Sequence, residues 1–299
     1  MNGRLMKKNI IFAAIAIITV SSCQKETLDS TPANSDAVRF TGIVPETKTY
    51  LSGLKTYWWE DHIYILKESS KYEYETAAQA TSSASFNPST GVTPPADIVS
   101  TDTYALYPYD QYDSNISLDS ENRKINVTVT QTQWLKASDF SSQKPILVAK
   151  STASGELAFN HATALLKFTI DASITNAYYI YLYGYNNYDG ADMISGVLTA
   201  TLNTDGTLST SSSPTRSGSD AYIEMKYTTS SEPMAIPAGT YYATIVPGTY
   251  WQGIGIKIQD SSWSTITEKY TSDKGDPNYK KAVFEAGQIY NLGTFSVTP

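Results

Sequence analysis

The sequence predicts an all-β fold of two tandem β-sandwich domains carried behind a signal peptide and a flexible tether. Three observations lead there. Short runs that alternate apolar and polar residues recur along the chain, separated by turn-forming residues. Charged residues make up only 17% of the chain while tyrosine alone occurs 23 times, a balance that suits strands with hydroxyl-rich outer faces better than solvated helices. The 299 residues hold about a dozen such runs, more than one seven-stranded sandwich uses.

At the N-terminus, Arg4, Lys7 and Lys8 precede the apolar run 10–20 (IIFAAIAIITV), which leads into Ser21, Ser22 and Cys23. That is the order of parts in a secretory signal peptide. Eleven residues of helix reach about 16 Å, roughly half of a bilayer's hydrocarbon core, so the run is too short to span. Cys23 is the only cysteine, which removes internal disulfides and cysteine zinc sites from consideration. Val20-Ser21-Ser22-Cys23 resembles a bacterial lipobox. On that reading residues 1–22 are a lipoprotein signal peptide, and Cys23 is acylated and attaches the mature protein to the outer membrane. Losing Arg4, Lys7 and Lys8 makes the formal charge of −7 more negative still, and an acidic body repels phosphate backbones, so no nucleic-acid partner is expected.

Residues 24–37 (QKETLDSTPANSDA) hold too little apolar surface to fold, and with Cys23 they form the expected tether, 23–37. Alternation begins at Val38. In KINVTVT, Ile125, Val127 and Val129 share one face and Asn126, Thr128 and Thr130 the other, the period of a half-buried strand. TYALYP, PILVAK, ALLKFTI, AYIEMKY, TYYATIVPG and GIGIKIQD continue the style, with turn chemistry at Asp189-Gly190, Asp205-Gly206 and Pro247-Gly248. The polar stretch Ser151-Thr152-Ala153-Ser154-Gly155 is the best available joint, which sets the expected domains at 38–155 and 156–299.

Catalytic chemistry finds little support. His62 and His161 are the only histidines, and both read as structural groups at the start of strands. The chain has no nucleophile elbow, phosphate loop or His-Glu-x-x-His. Glu60 and Asp61 are adjacent and would point to opposite faces of a strand, so they could not flank one bond as a glycosidase pair does. Asp110-Gln111-Tyr112-Asp113-Ser114-Asn115 matches a calcium loop only loosely. Neither enzyme activity nor a metal or cofactor is expected. Tyr178, Tyr179, Tyr181, Tyr183, Tyr185 and Tyr188 crowd one segment. Their odd-numbered members share a strand face, which is a stacking platform if exposed; core or cross-strand packing is the favoured reading.

Several stretches together resemble the fimbrillin-like lipoproteins, the type V pilin superfamily of Bacteroides-type bacteria. They are the lipobox at Cys23; Phe40-Thr41-Gly42 with Thr47-Lys48-Thr49; Trp58-Trp59-Glu60-Asp61-His62-Ile63-Tyr64-Ile65; Tyr104-Ala105-Leu106-Tyr107-Pro108; the run 159–168 (FNHATALLKF); Tyr242-Ala243-Thr244-Ile245-Val246-Pro247-Gly248; and Ala286-Gly287-Gln288-Ile289-Tyr290. The resemblance spans essentially the whole mature chain. It implies transthyretin-like sandwich domains, export to the cell surface, and a place in a pilus. In that family a trypsin-like protease cuts after an arginine, the first strand leaves, and a neighbour's strand fills the groove by β-augmentation.

Transferred to this chain, the resemblance makes Arg39 the candidate cleavage site, because it is the only arginine between Cys23 and Arg123. The candidate exchanged strand is Val38, Arg39, Phe40, Thr41, Gly42, Ile43 and Val44. The candidate C-terminal strand carries Ile289, Tyr290, Leu292, Phe295 and Val297; so little chain follows it that a tip or anchor role is raised over a stalk role. The expected function is a structural or adhesive fimbrial subunit whose partners are other pilin subunits, with a host or bacterial surface glycan or protein as adhesion ligand. The alternative is a surface glycan-binding lipoprotein; a hydrolase is the more distant rival.

Overall fold

The computed structural model describes residues 38–43, 58–59, 61–77, 79–109, 116–136, 141–184, 193–204, 207–212, 222–228, 233–250, 253–270 and 281–297. Cys23 and the stretches expected to be a signal peptide and a tether lie outside them. The described residues form strands and turns with no helix, so the protein is all-β as the alternation implies. Lys124–Val129 alternates exposed or half-buried with buried positions, as KINVTVT requires.

The largest sheet has eight strands in the order Glu156–Ala158, Phe40–Ile43, Ser83–Pro88, Ser70–Glu75, His62–Lys67, Thr103–Tyr107, Leu147–Lys150, Asn160–His161. A bridge between Ser151, which follows Leu147–Lys150, and Leu157 ties the first of these strands to the end of the seventh, so the sheet rolls up on itself. One face encloses a core of Phe40, Ile63, Ile65, Tyr74, Phe86, Leu147, Leu157 and Phe159. The other presents Tyr64, Leu66, Tyr104, Leu106 and Val148 to Ile125, Val127, Val129, Leu198, Ala200 and Leu202. Those partners lie on a four-stranded sheet built from Leu208–Ser212, Gly196–Leu202, Lys124–Val129 and Ser117–Asp119. Covered on both faces, Thr103–Tyr107 is buried at every position, which is why TYALY shows no polar alternation.

A second pair of layers holds the third core. The five-stranded sheet Thr132–Leu135, Tyr222–Tyr227, Tyr179–Gly184, Ile254–Gln259, Thr265–Tyr270 faces the three-stranded sheet Gly239–Ile245, Ala164–Ile170, Ile289–Phe295. Between them lie Ile180, Leu182, Ile223, Met225, Ile256 and Ile258 from the first, and Leu166, Phe168, Tyr241, Ile245 and Phe295 from the second. Each such apolar side chain contributes about 1.5–3 kcal/mol relative to exposure.

The sheets do not divide where the polar stretch suggested. Glu156–Ala158 pairs in parallel with Phe40–Ile43, Lys124–Val129 pairs with Gly196–Leu202, and Thr132–Leu135 pairs in parallel with Tyr222–Tyr227. Segments 38–155 and 156–299 thus exchange strands, and the expected joint is a tight turn inside one sheet. Thr152 N–H donates to Glu156 O at 2.9 Å, Gly155 N–H to Thr152 O at 3.1 Å, and Gly155 takes φ +81°. Ser, Thr and Gly serve a hairpin-like turn as well as a linker, so composition alone cannot separate the two. A buried polar knot fixes one crossing. Gln133 Nε2 donates to Thr244 O at 2.7 Å and Gln133 Oε1 accepts from Thr244 N–H at 3.1 Å, while Thr244 Oγ1 donates to Gln143 O at 2.6 Å.

Candidate functional site: a first strand in the sheet interior and a tyrosine face

The first strand, Phe40–Ile43, is an interior strand. It pairs antiparallel with Ser83–Pro88, placing Phe40 opposite Phe86, and parallel with Glu156–Ala158, placing Thr41 opposite Glu156. Thr41 N–H donates to Gly155 O at 3.0 Å, and Phe159 N–H to Ile43 O at 3.1 Å. Its burial alternates: Phe40 and Gly42 point in, Thr41 and Ile43 out. Phe40 is fully buried, edge-on to Tyr74 with ring centroids 5.3 Å apart. Gly42 has room for a hydrogen only, since a Cβ there would lie 2.8 Å from Phe86 Cε2 and 3.1 Å from Phe159 Cε2. Val38 packs against the same core, Arg39 is exposed, and Val44 lies outside the described residues. Arg39 therefore precedes the strand, and a cut after it would remove only the residues before Phe40 while Phe40–Ile43 stays in the chain.

The last strand, Ile289–Phe295, pairs in parallel with Ala164–Ile170 and ends the three-stranded sheet. Phe295 is buried, edge-on to Phe168 at 6.3 Å, and Leu292 and Tyr290 pack against the same core. Tyr290 Oη accepts from Glu285 N–H at 2.8 Å. Ile289 is half-buried, and Val297, just past the strand, is 43% exposed. Lys269 of the facing sheet guards this edge: its Nζ donates to Thr294 O at 2.5 Å and sits 4.6 Å from the Phe295 ring centroid.

The residues that catalysis would need are spread apart. His62 Nδ1 lies 2.7 Å from Glu73 Oε1 on the neighbouring strand, a partly exposed cross-strand pair. His161 lies three strands further along the same sheet, in Asn160–His161; burial lowers its pKa to about 4. Asp61 is buried, and its Oδ1 accepts from Tyr107 Oη at 3.2 Å and from Lys144 Nζ at 3.1 Å. Burial pushes the Tyr107 phenol up to about 12. No group of three His, Cys, Asp or Glu suited to a metal occurs among the described residues. Glu60 and 110–115 lie outside them.

The tyrosine strand resolves the question its sequence left open. Ile180 and Leu182 point into the core, and Tyr179, Tyr181 and Tyr183 line the outer face of the five-stranded sheet. Cross-strand neighbours arrange that face in rows. Tyr222, Tyr183, Gly255 and Tyr270 form one; Glu224, Tyr181, Lys257 and Glu268 the next; Trp134, Lys226, Tyr179 and Gln259 the third. Tyr181 Oη donates to Glu224 Oε1 at 2.6 Å, and Tyr183 Oη donates to Glu268 Oε1 and meets Tyr270 Oη at 3.1 Å. Burial, then these carboxylate bonds, push both phenol pKa values up. Between Tyr181, Tyr183, Tyr222, Lys257, Glu268 and Tyr270 lies an open cleft of about 420 Å³. The sequence flagged the tyrosine run but not Gly255, Glu268 or Tyr270, because their strands are distant in the chain and only pairing register brings them together.

A protein of Bacteroides ovatus assigned to cell adhesion matches 87% of this chain and 92% of its own, with a TM-score of 0.52 and 14% identity. This chain has that protein's fold. A Bacteroides uniformis protein also assigned to cell adhesion matches 87% of this chain and 94% of its own at TM-score 0.44 and 14% identity. A Bacteroides ovatus fimbrial protein matches 87% of this chain and 48% of its own at TM-score 0.35 and 11% identity. No protein-family model and no curated protein matches the sequence.

Proposed function

We propose that this protein is a structural or adhesive subunit of a cell-surface fimbria, exported as a lipoprotein through Cys23 and assembled by exchange of its first strand. The observation that carries the reading is the position of Phe40–Ile43. A short segment at the start of the folded body is hydrogen-bonded on both sides within a sheet, with Phe40 fully buried. Its departure would leave a slot lined by free backbone groups of Ser83–Pro88 and Glu156–Ala158, with an apolar pocket where Phe40 had been. A donor strand from a second subunit satisfies both.

The geometry adds a condition. Because Arg39 precedes the strand, the chain must also be cut downstream of Ile43 for Phe40–Ile43 to leave. Residues 44–57 contain no arginine but do contain Lys48 and Lys55, both substrates for a trypsin-like protease. N-terminal sequencing of the surface-assembled form tests this. A start after Lys48 or Lys55 is expected. A start at Phe40 would mean that only the tether is shed, and a start at acylated Cys23 that nothing is; either overturns exchange of this strand. Cys23→Ala should abolish palmitate labelling and membrane retention; retention of both overturns the lipoprotein assignment.

A further inference from the structure

The outer face of the five-stranded sheet has more order than solvent-facing packing requires. Cross-strand pairs account for neighbouring tyrosines, but two features point to a ligand. The first is Gly255, opposite Tyr183, where a Cβ would lie 2.5 Å from Tyr183 Cζ and 2.7 Å from its Cε2. The glycine lets the ring lie down on the sheet as a flat floor for the cleft. The second is Trp263, which stacks on Tyr179 with centroids 4.1 Å apart and planes 8° apart, yet is 52% exposed. Trp263 holds φ +66°, a left-handed conformation costly for a bulky residue, in a turn clamped by Asp260, whose Oδ1 accepts from the N–H groups of Ser262 and Ser264 at 2.8 and 2.9 Å. A glycine or asparagine would suit that turn better.

Charge decides the ligand class. Glu224 pairs with Lys226 at 2.6 Å, and Glu268 lies 3.9 Å from Lys257, so each charge on this face has its opposite beside it. An ionic ligand meets repulsion next to every attraction. A neutral polyhydroxylated ligand does not: tyrosine hydroxyls donate and accept, the carboxylates accept, the ammonium groups donate, and electron-rich ring faces receive C–H groups. The cleft volume of about 420 Å³ lies within the range of small-molecule sites.

We propose that this face binds a neutral oligosaccharide, one sugar seated over Tyr183 in the cleft and the chain running toward the Tyr179–Trp263 stack. This deepens the adhesive reading and rests on it only for display of the face outside the cell. The face belongs to the folded monomer, so binding is measured without assembly.

The test is affinity electrophoresis of the purified protein in gels cast with yeast α-mannan, amylopectin or xylan, beside a gel with anionic hyaluronan and one with no polysaccharide. Retardation is expected in at least one neutral gel and absent in hyaluronan. Tyr183→Ala and Gly255→Ala should weaken it at least ten-fold. Trp263→Gly, which relieves the left-handed backbone and so keeps the fold, should weaken it several-fold. Passage unretarded through every neutral gel, retention only in hyaluronan, or retention unchanged in Trp263→Gly would each overturn the proposal. A protein that is retarded but never assembles keeps this inference and loses strand exchange; one that assembles but is never retarded loses this inference alone.

Discussion

Gly42 of the first strand lies beneath the Phe86 ring of the adjacent strand, so close that a Cβ on residue 42 would sit 2.8 Å from Phe86 Cε2. The glycine thereby lets the first strand seat flush between its two neighbours, with Phe40 two residues back filling the core. Gly42→Ala forces rings that are already packed to move. A loss of about 1–3 kcal/mol is expected, read as a lower urea midpoint with an unchanged slope.

Phe40→Ala acts on the same seat from the other side. It removes a fully buried ring packed edge-on against Tyr74 and should cost about 3–5 kcal/mol. A loss below about 1 kcal/mol by urea unfolding would show that the strand is not held as described.

Much of this architecture is written locally in the sequence, and its limits are physical. The period-2 pattern of KINVTVT and ALLKFTI gives strands and faces, and the burial of Val127 and Phe168 agrees with it. Pairing partners are a different matter. Nothing in Thr132–Leu135 announces Tyr222–Tyr227 as its neighbour, because that choice is made by register and by buried groups such as Gln133 and Thr244, 111 residues apart. The same limit hid the tyrosine face. Alternation puts Tyr179, Tyr181 and Tyr183 together but cannot tell core from solvent when the opposite face, Ile180 and Leu182, is apolar as well. The stretch 151–155 suits a joint and a tight turn equally, because a turn and a linker use the same residues.

His161 makes stability depend on pH. Burial lowers its pKa from 6.5 to about 4, and the Nε2 atom is buried without a hydrogen-bond partner among the described residues. The unfolded chain therefore takes up a proton at pH values where the folded protein does not. Stability should be level with respect to this group above pH 6.5 and fall as the pH drops from 6.5 toward 4. His161→Phe should remove that part of the slope in Tm against pH. An unchanged slope would place the dependence elsewhere.

Lys269 is expected to act as a guard on the last strand. Its ammonium occupies the Thr294 carbonyl and covers the Phe295 ring at a sheet edge that no other strand pairs among the described residues. Lys269→Met keeps the stem and loses the charge and the donor. Increased self-association in sedimentation velocity is expected, with Tm shifted by no more than a few degrees; a strictly monomeric variant would contradict the role.

The most direct measurement of strand exchange is native mass spectrometry of the purified protein after limited trypsin treatment, paired with unheated gels. Cleavage on both sides of Phe40–Ile43 should release a peptide containing that strand and convert monomer into ladders. A Lys48→Gln, Lys55→Gln double variant should remain monomeric with the strand in place. A cut protein that keeps the peptide bound and stays a single stable monomer, or a double variant that forms ladders as readily as the parent, would contradict the account.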